Sequence, residues 1–422
     1  MSPSAVSATP PQAVVQGNPD LIADAVKQKL AGTAPSNGES TIAGLDASKL
    51  TRTRTTTPRT VPALDDPIRN VSSFATDHMV TCNWNVNTGW GTPELKPYGP
   101  FSIMPTASVL HYATECFEGL KAYRGYDGKL RLFRPDCNAR RLLMSSARIA
   151  LPTFDTAEVE KLITELVAVD GAKFLPKSDP GKFLYIRPTL IGTQAELGVQ
   201  TPKEAMFFII ATYMPELSET PGGMKLLASQ NDTVRAWPGG FGFAKVGANY
   251  GPSLMAQQEA RRLGYNQVLW LLGDEAQVTE AGASNFFTVM RTQEGKLQLI
   301  TAPLGDKVIL DGVTRRSVIQ LVKERLAKNT ELEPIEVVER QYTMSEIVAA
   351  SEEGRLIECF ACGTAFFVAP VSKIHFRGVD IDVPMAQGEV GDYTNVIKNW
   401  LVDIMYGRED HPWGVVVEEK EV

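Results

Sequence analysis

The sequence predicts an α+β fold built from two domains. The chain has 422 residues, and chains of this length usually form two or three domains of about 150 residues each. Strand-like runs of β-branched and aromatic residues, such as KFLYIRPTLIG, are interspersed with amphipathic helical patterns, such as NARRLLMSSARIAL. The segment SETPGG, residues 218–223, has the Gly and Pro content of an interdomain linker.

The first half of the chain is predicted to contain an arm and a small domain. Residues 1–65 are rich in Ser, Thr, Ala and Pro and lack apolar periodicity, which indicates a flexible N-terminal arm. Residues 66–217 form the predicted small α+β domain. Its predicted strands are FSIMP, KLRLF, KFLYIRPTLIG and AMFFIIATYMP, and its predicted helices are NARRLLMSSARIAL and TAEVEKLITELVAVDG.

Residues 224–422 form the predicted large α+β domain. Its predicted strands are MKLLAS, NQVLWLL, SNFFTVM, KLQLI and IEVVERQ, and the apolar run IECFACGTAFFVAPV follows them. Helical patterns begin near Pro252, Gly312, Met344 and Tyr393. The order of these segments predicts a second mixed domain after the linker.

Composition argues against several classes of function. The net charge is −7 and no basic stretch occurs, so nucleic acid is not an expected partner. No apolar run approaches the roughly 18 residues that a membrane span needs. Residues 1–20 contain neither Lys nor Arg, and the five cysteines do not suggest a disulfide framework, so a cytoplasmic location is expected. The four histidines show no metal-ligand spacing, and no metal site is expected.

Lys245 is the most distinctive candidate for chemistry. It lies in GGFGFAKVGANYGPSLM, among five glycines and directly before a predicted helix. Such a lysine can be a solvated loop charge, or it can bind phosphate, although the stretch lacks the residue order of a P-loop. It can also be a nucleophile that a rigid backbone holds in place. The stretch alone leaves these alternatives open.

Further polar residues have types that complement a reactive lysine. Tyr250 follows Lys245 closely, and Glu280 lies in QVTEAGASNFF, where a loop between two strands is predicted. Val313 and Thr314 occupy the first turn of a predicted helix, whose free N–H groups can bind an anion. Taken singly, each feature is typical of ordinary solvated or capping residues.

Together these residues match the requirements of pyridoxal 5′-phosphate. This cofactor needs an amine for its aldehyde, a carboxylate beside its pyridine nitrogen and a hydrogen-bond donor for its 3′-oxygen. Lys245, Glu280 and Tyr250 are predicted to fill these roles. The cofactor's phosphate needs N–H groups, a hydroxyl and a cation, and the predicted phosphate ligands are Val313, Thr314, Thr364 and Arg141.

The motifs around Lys245 closely resemble those of the branched-chain amino acid aminotransferases. The resemblance is carried by GGFGFAKVGANYGPSLMAQQEA, NQVLWL and VTEAGASNFF, and by HYATECFEGLKAYRG, RLFRPDCNARR, LYIRPTLIG and GTAFFVAPV. It extends from about residue 77 to residue 407. It implies the two-domain, D-amino acid aminotransferase-like fold of the fold type IV pyridoxal phosphate enzymes, with the cofactor bound by the large domain. It also implies a homodimer in which each active site borrows a loop from the neighbouring subunit.

The resemblance also assigns roles to individual residues. Arg141 and Thr364 match phosphate-binding residues, and Lys245 matches the lysine that holds the cofactor and moves the proton. The implied substrate pocket contains Tyr112, Phe117, Tyr185 and Arg187, and Arg187 would receive the distal carboxylate of glutamate. Thr364 and Ala365 would offer N–H groups to the substrate α-carboxylate.

The implied reaction is the reversible transamination of L-leucine, L-isoleucine and L-valine with 2-oxoglutarate, which gives branched 2-oxo acids and L-glutamate. A D-amino acid aminotransferase or an aminodeoxychorismate lyase of the same fold is the alternative, since Lys245 and Glu280 would not discriminate between them. A protein that binds the cofactor without catalysis is a third hypothesis.

The pair Cys359 and Cys362 suggests neither a disulfide nor a metal site. Residues i and i+3 of an extended segment point to opposite faces about 10 Å apart, beyond the roughly 7 Å between Cα atoms that a disulfide allows. Both residues are predicted to be buried thiols.

Overall fold

The computed structural model describes residues 42–215, 221–328, 332–365 and 367–420. Within these ranges the chain forms two β-sheets with helices packed against them, which confirms the predicted α+β class. Residues 218–220 of the predicted linker at 218–223 lie outside the described residues.

The first sheet contains ten of the described strands and is mostly antiparallel. They are β1 (Thr51–Arg52), β2 (His78–Asn85), β3 (Gly89–Trp90), β4 (Glu94–Pro97), β5 (Glu115–Phe117), β6 (Leu120–Arg124), β7 (Leu130–Phe133), β8 (Phe183–Gly192), β9 (Glu204–Thr212) and β19 (Gly414–Val417). Their order is β1-β4-β2-β9-β8-β6-β7-β19, and β3 and β5 pair with β2 and β8.

The second sheet contains the other nine described strands. They are β10 (Met224–Ala228), β11 (Gln267–Leu272), β12 (Gln277–Ala281), β13 (Ser284–Arg291), β14 (Leu297–Thr301), β15 (Glu336–Glu339), β16 (Leu356–Gly363), β17 (Phe367–Phe376) and β18 (Val379–Asp382). The strands β12-β11-β10-β17-β16-β13 form a closed ring, because β12 also pairs with β13.

Seven α-helices occur among the described residues. They are α1 (Ser108–Tyr112), α2 (Pro135–Arg148), α3 (Thr156–Phe174), α4 (Leu254–Arg262), α5 (Val313–Arg325), α6 (Met344–Glu352) and α7 (Asp392–Met405). Local sequence explains several of their starts. Pro135 occupies the first position of α2, where no N–H is needed. The side chains of Thr343 and Glu346 form a capping box at the start of α6.

The helices bury their apolar faces on the sheets. Helix α3 packs against β2, β8 and β9, and its Leu162 and Leu166 are fully buried. Helices α5 and α7 pack against each other and against β16. Burial of one such leucine contributes about 1.5–3 kcal/mol, so these layers stabilise the frame on which the site is built. None of the described helices has the length and apolarity required to cross a membrane.

Part of the predicted N-terminal arm instead packs against the first sheet. Strand β1 pairs with β4, and Leu45, Ala47 and Leu50 are buried in the core of this sheet. These three apolar residues are too few and too irregularly spaced to produce a periodic signal. The segment was therefore predicted to be flexible from its composition. Residues 1–41 of the predicted arm lie outside the described residues.

The C-terminal end of the predicted large domain also belongs to the first sheet. Strand β19 pairs antiparallel with β7, and the Glu419 carboxylate pairs with the fully buried Arg124 guanidinium at 2.7 Å. The predicted span of 224–422 for the second domain is therefore too long. Pairing of strands so distant in sequence leaves no local pattern from which it could be predicted.

The predicted strand FSIMP does not form. Residues 101–105 join no ladder, and Pro105 has no N–H to donate to one. The Phe101 ring packs against the Phe208 ring instead, with centroids 4.9 Å apart. The apolar character of this segment reflects packing outside a strand.

The first sheet contacts the Gly-rich segment through β5. The Phe117 N–H donates to the Lys245 carbonyl (3.1 Å), and Cys116 forms an isolated β-bridge with Val246. The first sheet therefore holds the backbone of the candidate lysine directly.

Candidate active site

The backbone of the Gly-rich segment is fixed from several sides. The Lys245 N–H donates to Ser145 Oγ in α2 (2.8 Å), and Asn249 Nδ2 donates to the Ala244 carbonyl (2.8 Å). A Cβ atom at Gly242 would lie 2.7 Å from the Val308 carbonyl oxygen. Glycine is needed at Gly242 because the chain passes close to another backbone segment.

The Lys245 side chain is half-buried in an aromatic corner. Its Nζ donates a hydrogen bond to Tyr250 Oη (3.1 Å) and lies 4.9 Å from the centroid of the Phe117 ring. The Phe117 and Tyr250 rings contact each other, with centroids 5.0 Å apart. Lys245 and Tyr250 from one motif and Phe117 from another therefore lie together, as predicted for the site.

Glu280 lies inside a strand, where a loop was predicted. It belongs to β12 and is 3% exposed. Its Oε1 accepts hydrogen bonds from the Leu310 N–H (3.0 Å) and Asn285 Nδ2 (3.2 Å). Burial raises the pKa of Glu280, and the charge of Arg235 acts in the opposite direction.

Arg235 is a site residue that the sequence analysis missed. Its Nη2 lies 2.5 Å from Glu280 Oε2 and donates to the Val308 carbonyl (3.1 Å). Its Nε is buried and has no hydrogen-bond partner among the described residues. A carboxylate predicted to act inside a protein requires a nearby cation, and the arginine in RAWPGG, just upstream of the Gly-rich segment, was the available signal.

The start of α5 combines free N–H groups with a cation. Gly312 precedes the helix without a side-chain cap, and Val313 and Thr314 form its first turn. Arg141 Nη1 donates to the Asp311 carbonyl (2.9 Å), which places the guanidinium beside this helix start. Burial would lower the pKa of Arg141, but the carboxylate of Glu118 raises it above its ordinary value. The predicted phosphate ligands on α2 and α5 are thus brought together as a cationic, N–H-rich corner.

The half-buried residues Thr364 and Ala365 form the turn between β16 and β17. Strand β16 pairs with β13 beside Asn285. The Asn285 amide binds Glu280, and its oxygen lies so close to Gly312 that a Cβ atom there would collide with it. The turn, the helix start and the buried carboxylate therefore meet around one asparagine.

Three of the predicted pocket residues form one wall near Lys245. Arg187 Nη2 donates to Tyr185 Oη (2.9 Å), and the Arg187 guanidinium carbon lies 4.5 Å from the Phe117 ring centroid. Gly119 leaves room for the Tyr185 hydroxyl, since a Cβ atom at this position would collide with it. This wall, formed by Phe117, Tyr185 and Arg187, presents mainly aromatic surface and one cation.

Tyr112 lies apart from this wall. Its hydroxyl accepts a hydrogen bond from the Gly198 N–H (2.9 Å), and 37% of the residue is exposed. With Val199 and Phe241 it lines a surface cavity of about 400 Å³. The hydrogen bond to Gly198 therefore connects Tyr112 to the loop after β8.

Cys359 and Cys362 are free, buried thiols, as predicted. Burial raises the pKa of Cys359 to about 12 and raises the pKa of Cys362 still further above its ordinary value. A protonated, buried thiol is a poor nucleophile and a poor metal ligand. The part of the chain that the structure describes contains no group of three or more His, Cys, Asp or Glu residues suited to a metal ion.

Comparison with known proteins identifies the family. The family model "Amino-transferase class IV" matches residues 115–374. The chain is 46% identical over 343 residues to the mitochondrial branched-chain-amino-acid aminotransferase of Schizosaccharomyces pombe, covering 81% of this chain and 78% of the relative. It is 44% identical over 384 residues to the cytosolic enzyme of Saccharomyces cerevisiae, covering 90% of this chain and 99% of the relative.

Solved structures share the fold of this chain. The branched-chain aminotransferase of the thermophilic archaeon Thermoproteus uzoniensis, solved with norvaline, aligns with a TM-score of 0.62 at 24% identity, covering 80% of this chain and 99% of that one. The PLP form of the Thermobaculum terrenum enzyme aligns with a TM-score of 0.63 at 24% identity, covering 81% of this chain and 98% of that one. At these identities the likeness is one of fold, and the closer sequence relatives decide the family. The chain therefore belongs to the class IV aminotransferase family, and within it to the branched-chain amino acid aminotransferases.

Proposed function

We propose that this enzyme transfers the amino group of L-leucine, L-isoleucine or L-valine reversibly to 2-oxoglutarate. The observation that carries this choice of substrates is the wall of Phe117, Tyr185 and Arg187 beside the Lys245 amine. Aromatic rings suit a branched aliphatic side chain, and the guanidinium suits the distal carboxylate of glutamate.

The residues of the site fit pyridoxal 5′-phosphate as the cofactor. The Lys245 amine has a single hydrogen-bonded side-chain partner, Tyr250, among the described residues, and the start of α5 is uncapped by any side chain. Glu280 is buried, and the Nε of its partner Arg235 is unpartnered within the described ranges. When bound, the cofactor supplies a reactive aldehyde and an electron-withdrawing pyridine ring.

Each residue of the site has one proposed task. Lys245 Nζ would bind the aldehyde carbon and, as a free amine, would move the proton of the substrate α-carbon. Tyr250 would donate a hydrogen bond to the 3′-oxygen. Glu280 would hold a proton on the pyridine nitrogen, and Arg235 would keep Glu280 ionised.

The anionic groups would be bound at two turns of the backbone. Arg141, Val313, Thr314 and Thr364 would hold the phosphate, because they combine a cation, helix N–H groups and a hydroxyl. The N–H groups of the Thr364–Ala365 turn would also orient the substrate α-carboxylate. These ligands fix the α-carbon within reach of Lys245.

The proposal is tested by initial rates with 2-oxoglutarate across leucine, isoleucine, valine, phenylalanine and D-alanine. The three branched substrates are expected to give the highest kcat/KM. A D-amino acid aminotransferase or an aminodeoxychorismate lyase is not favoured by the relatives. Faster transamination of D-alanine than of leucine would overturn the proposed substrates.

Arg187→Met is expected to separate the two substrates of the enzyme. Methionine keeps an apolar stem of similar length and removes the charge, so the half-reaction with leucine should survive. For glutamate, kcat/KM should fall about tenfold or more, as expected for the loss of a charged hydrogen bond. Stopped-flow measurement of both half-reactions provides the comparison.

The contrary hypothesis is that Arg187 serves only the structure. Among the described residues Arg187 forms no ion pair within 4 Å, and its Nε is buried without a partner. Burial raises the pKa of the nearby Glu115 carboxyl, and the charge of Arg187 acts in the opposite direction. Equal losses for leucine and glutamate, or no loss for either, would assign Arg187 to the scaffold.

We further propose a homodimer, supported by an exposed apolar surface next to Tyr112. Met104, Leu110, Leu197 and Val199 are 62%, 59%, 57% and 92% exposed, and an isolated β-bridge between Ala107 and Ala195 joins their two segments. Apolar patches of this kind are typical of protein interfaces.

Val199→Asp is expected to weaken the dimer and lower its activity at dilute concentration, because the charge would be buried at the interface. Sedimentation velocity of the variant and of the control Val379→Asp, also at an exposed valine, measures the effect. A wild-type protein that is fully active as a monomer would contradict the dimer.

A cytoplasmic location is the last part of the proposal. All five cysteines are free and buried, which suits a reducing compartment. Relatives of both cytosolic and mitochondrial type match the chain, so fractionation of the producing cells is the deciding measurement.

A further inference from the structure

Glu118 is a buried carboxylate between the two halves of the site. It follows Phe117 of the substrate wall and precedes Gly119, which packs under Tyr185. Its backbone N–H donates to the Pro188 carbonyl (2.8 Å), and the residue is 1% exposed. Because side chains alternate along an extended segment, Glu118 points away from the substrate wall and toward α2.

The Glu118 carboxylate holds Arg141 through two short hydrogen bonds. Arg141 Nε donates to Oε1 (2.7 Å) and Arg141 Nη2 donates to Oε2 (2.7 Å). Oε2 also accepts from Asn138 Nδ2 (2.8 Å), one turn earlier on α2. The paired geometry fixes the plane of the guanidinium, which a single bond could not do.

Some N–H donors of the Arg141 guanidinium remain available for a ligand. A guanidinium carries five N–H bonds; two are directed to Glu118 and one to the Asp311 carbonyl beside the start of α5. Among the described residues no partner is found for the other two N–H bonds, one on each terminal nitrogen. Their direction is set by Glu118, since the guanidinium is planar and rigid.

We propose that Glu118 is a positioning residue for the cofactor phosphate, aiming the two remaining N–H groups of Arg141 at the anion site at the start of α5. The inference rests on the proposed use of pyridoxal 5′-phosphate. The negative charge of Glu118 by itself would weaken phosphate binding, because a carboxylate repels a nearby phosphate. The proposed positioning of Arg141 would strengthen phosphate binding instead.

The charge of Glu118 and its positioning of Arg141 should change phosphate affinity in opposite directions, so the direction of the change in a variant distinguishes them. Glu118→Gln removes the negative charge and one half of the paired geometry, because the amide nitrogen cannot accept from an N–H group. If the charge of Glu118 dominates, the variant should bind phosphate more tightly. If the positioning of Arg141 dominates, the variant should bind it more weakly.

The experiment is a titration of the apoenzyme with pyridoxal 5′-phosphate and, separately, with pyridoxal, which lacks the phosphate. Glu118→Gln is expected to raise the Kd for pyridoxal 5′-phosphate about tenfold, the scale of a charge-assisted hydrogen bond. The Kd for pyridoxal should change less than about twofold. Glu118→Asp keeps the charge but shortens the side chain. It should therefore also raise the ratio of the Kd for pyridoxal 5′-phosphate to the Kd for pyridoxal.

Glu419→Gln is the matched control. Glu419 pairs in the same two-bond manner (2.7 and 3.2 Å) with a buried arginine, Arg124, in the first sheet. The Glu419→Gln variant should leave the ratio of the two Kd values unchanged, even if the substitution lowers the thermal midpoint. If Glu118→Gln does not fold, Asn138→Ala removes one support of the same carboxylate and should raise the ratio to a smaller extent.

The outcomes are distinct. Tighter or unchanged binding of pyridoxal 5′-phosphate by Glu118→Gln would overturn the positioning role, and so would equal weakening for pyridoxal. Failure of the wild-type apoenzyme to bind pyridoxal 5′-phosphate would instead refute the proposed cofactor. At saturating cofactor the KM for leucine should be unchanged in Glu118→Gln, because the Glu118 carboxylate is directed toward α2 and away from the substrate wall.

Discussion

Replacement of Lys245 by alanine is expected to lower turnover by about 10⁴-fold or more. General acid–base catalysis alone contributes about 10²–10⁴-fold, and Lys245 is also the proposed nucleophile. Its Nζ is held by Tyr250 and the Phe117 ring, and no other described lysine shares this hydrogen bond. The variant should still bind the cofactor, because the proposed phosphate ligands lie on α2, α5 and the Thr364 turn.

Lys307→Ala is the matched control for Lys245→Ala. Lys307 is a half-buried lysine next to the same Gly-rich segment, with its Nζ 5.7 Å from the centroid of the Phe243 ring. It has no role in the proposed site, so its loss should leave turnover within about twofold, the scale of a change below ~0.5 kcal/mol. Borohydride reduction of the wild-type holoenzyme followed by peptide mapping identifies the reactive amine. Label on a peptide without Lys245 would refute the assignment.

Glu280→Gln is expected to lower kcat by about 10²-fold or more, the usual effect of removing one preorganised electrostatic partner from an active site. Glutamine keeps the shape and can still accept from the Leu310 N–H. It cannot carry the charge that would hold a proton on the pyridine nitrogen, and it leaves Arg235 buried without its counter-ion. Steady-state rates, corrected for bound cofactor, measure the loss.

Glu358→Gln separates catalysis from stability. Glu358 is a second buried carboxylate in the same sheet, 2% exposed, and it accepts from the Thr394 N–H (2.7 Å) at the start of α7. Both variants should lower the thermal midpoint, but Glu358→Gln should retain turnover per molecule of bound cofactor. Equal turnover in the two variants would remove Glu280 from the proposed mechanism.

Local patterns in the sequence predicted most of the frame. The strand predicted from KFLYIRPTLIG is Phe183–Gly192, and the helix predicted from TAEVEKLITELVAVDG is Thr156–Phe174. Both segments have a strong period and clear Gly, Pro or Asp boundaries, so short-range physics determines them. Strand β19 and the buried residues Leu45, Ala47 and Leu50 depend on partners far along the chain, which no local window contains.

In the candidate site, too, local contacts were predicted and contacts between residues distant in sequence were not. Lys245 and Tyr250 lie in one motif, and their contact follows from the short turns between them. The counter-ions Arg235 and Glu118 were missed, although each pairs with a residue that was predicted. An ion pair is a tertiary contact, and sequence alone shows only that a buried charge needs a partner, without showing which residue supplies it.

The chemical role of Glu280 was predicted from the sequence, but its burial inside a strand was not. A loop was predicted at Glu280, but the residue lies in β12, which pairs with β11 and β13. The resulting burial raises the pKa of Glu280. Arg235 is therefore required for the carboxylate to remain ionised, and the structure identifies it as the partner.

The most direct test of the whole account is a single-turnover measurement on the holoenzyme with L-leucine and no oxo acid. Lys245, the proposed cofactor ligands and the substrate wall must all act for the amino group to leave leucine. L-leucine is expected to change the visible absorbance of the bound cofactor and to release one equivalent of the branched 2-oxo acid. In Lys245→Ala the same change should be at least about 10⁴-fold slower. An unchanged spectrum with L-leucine, or conversion by D-alanine that is faster than by L-leucine, would contradict it.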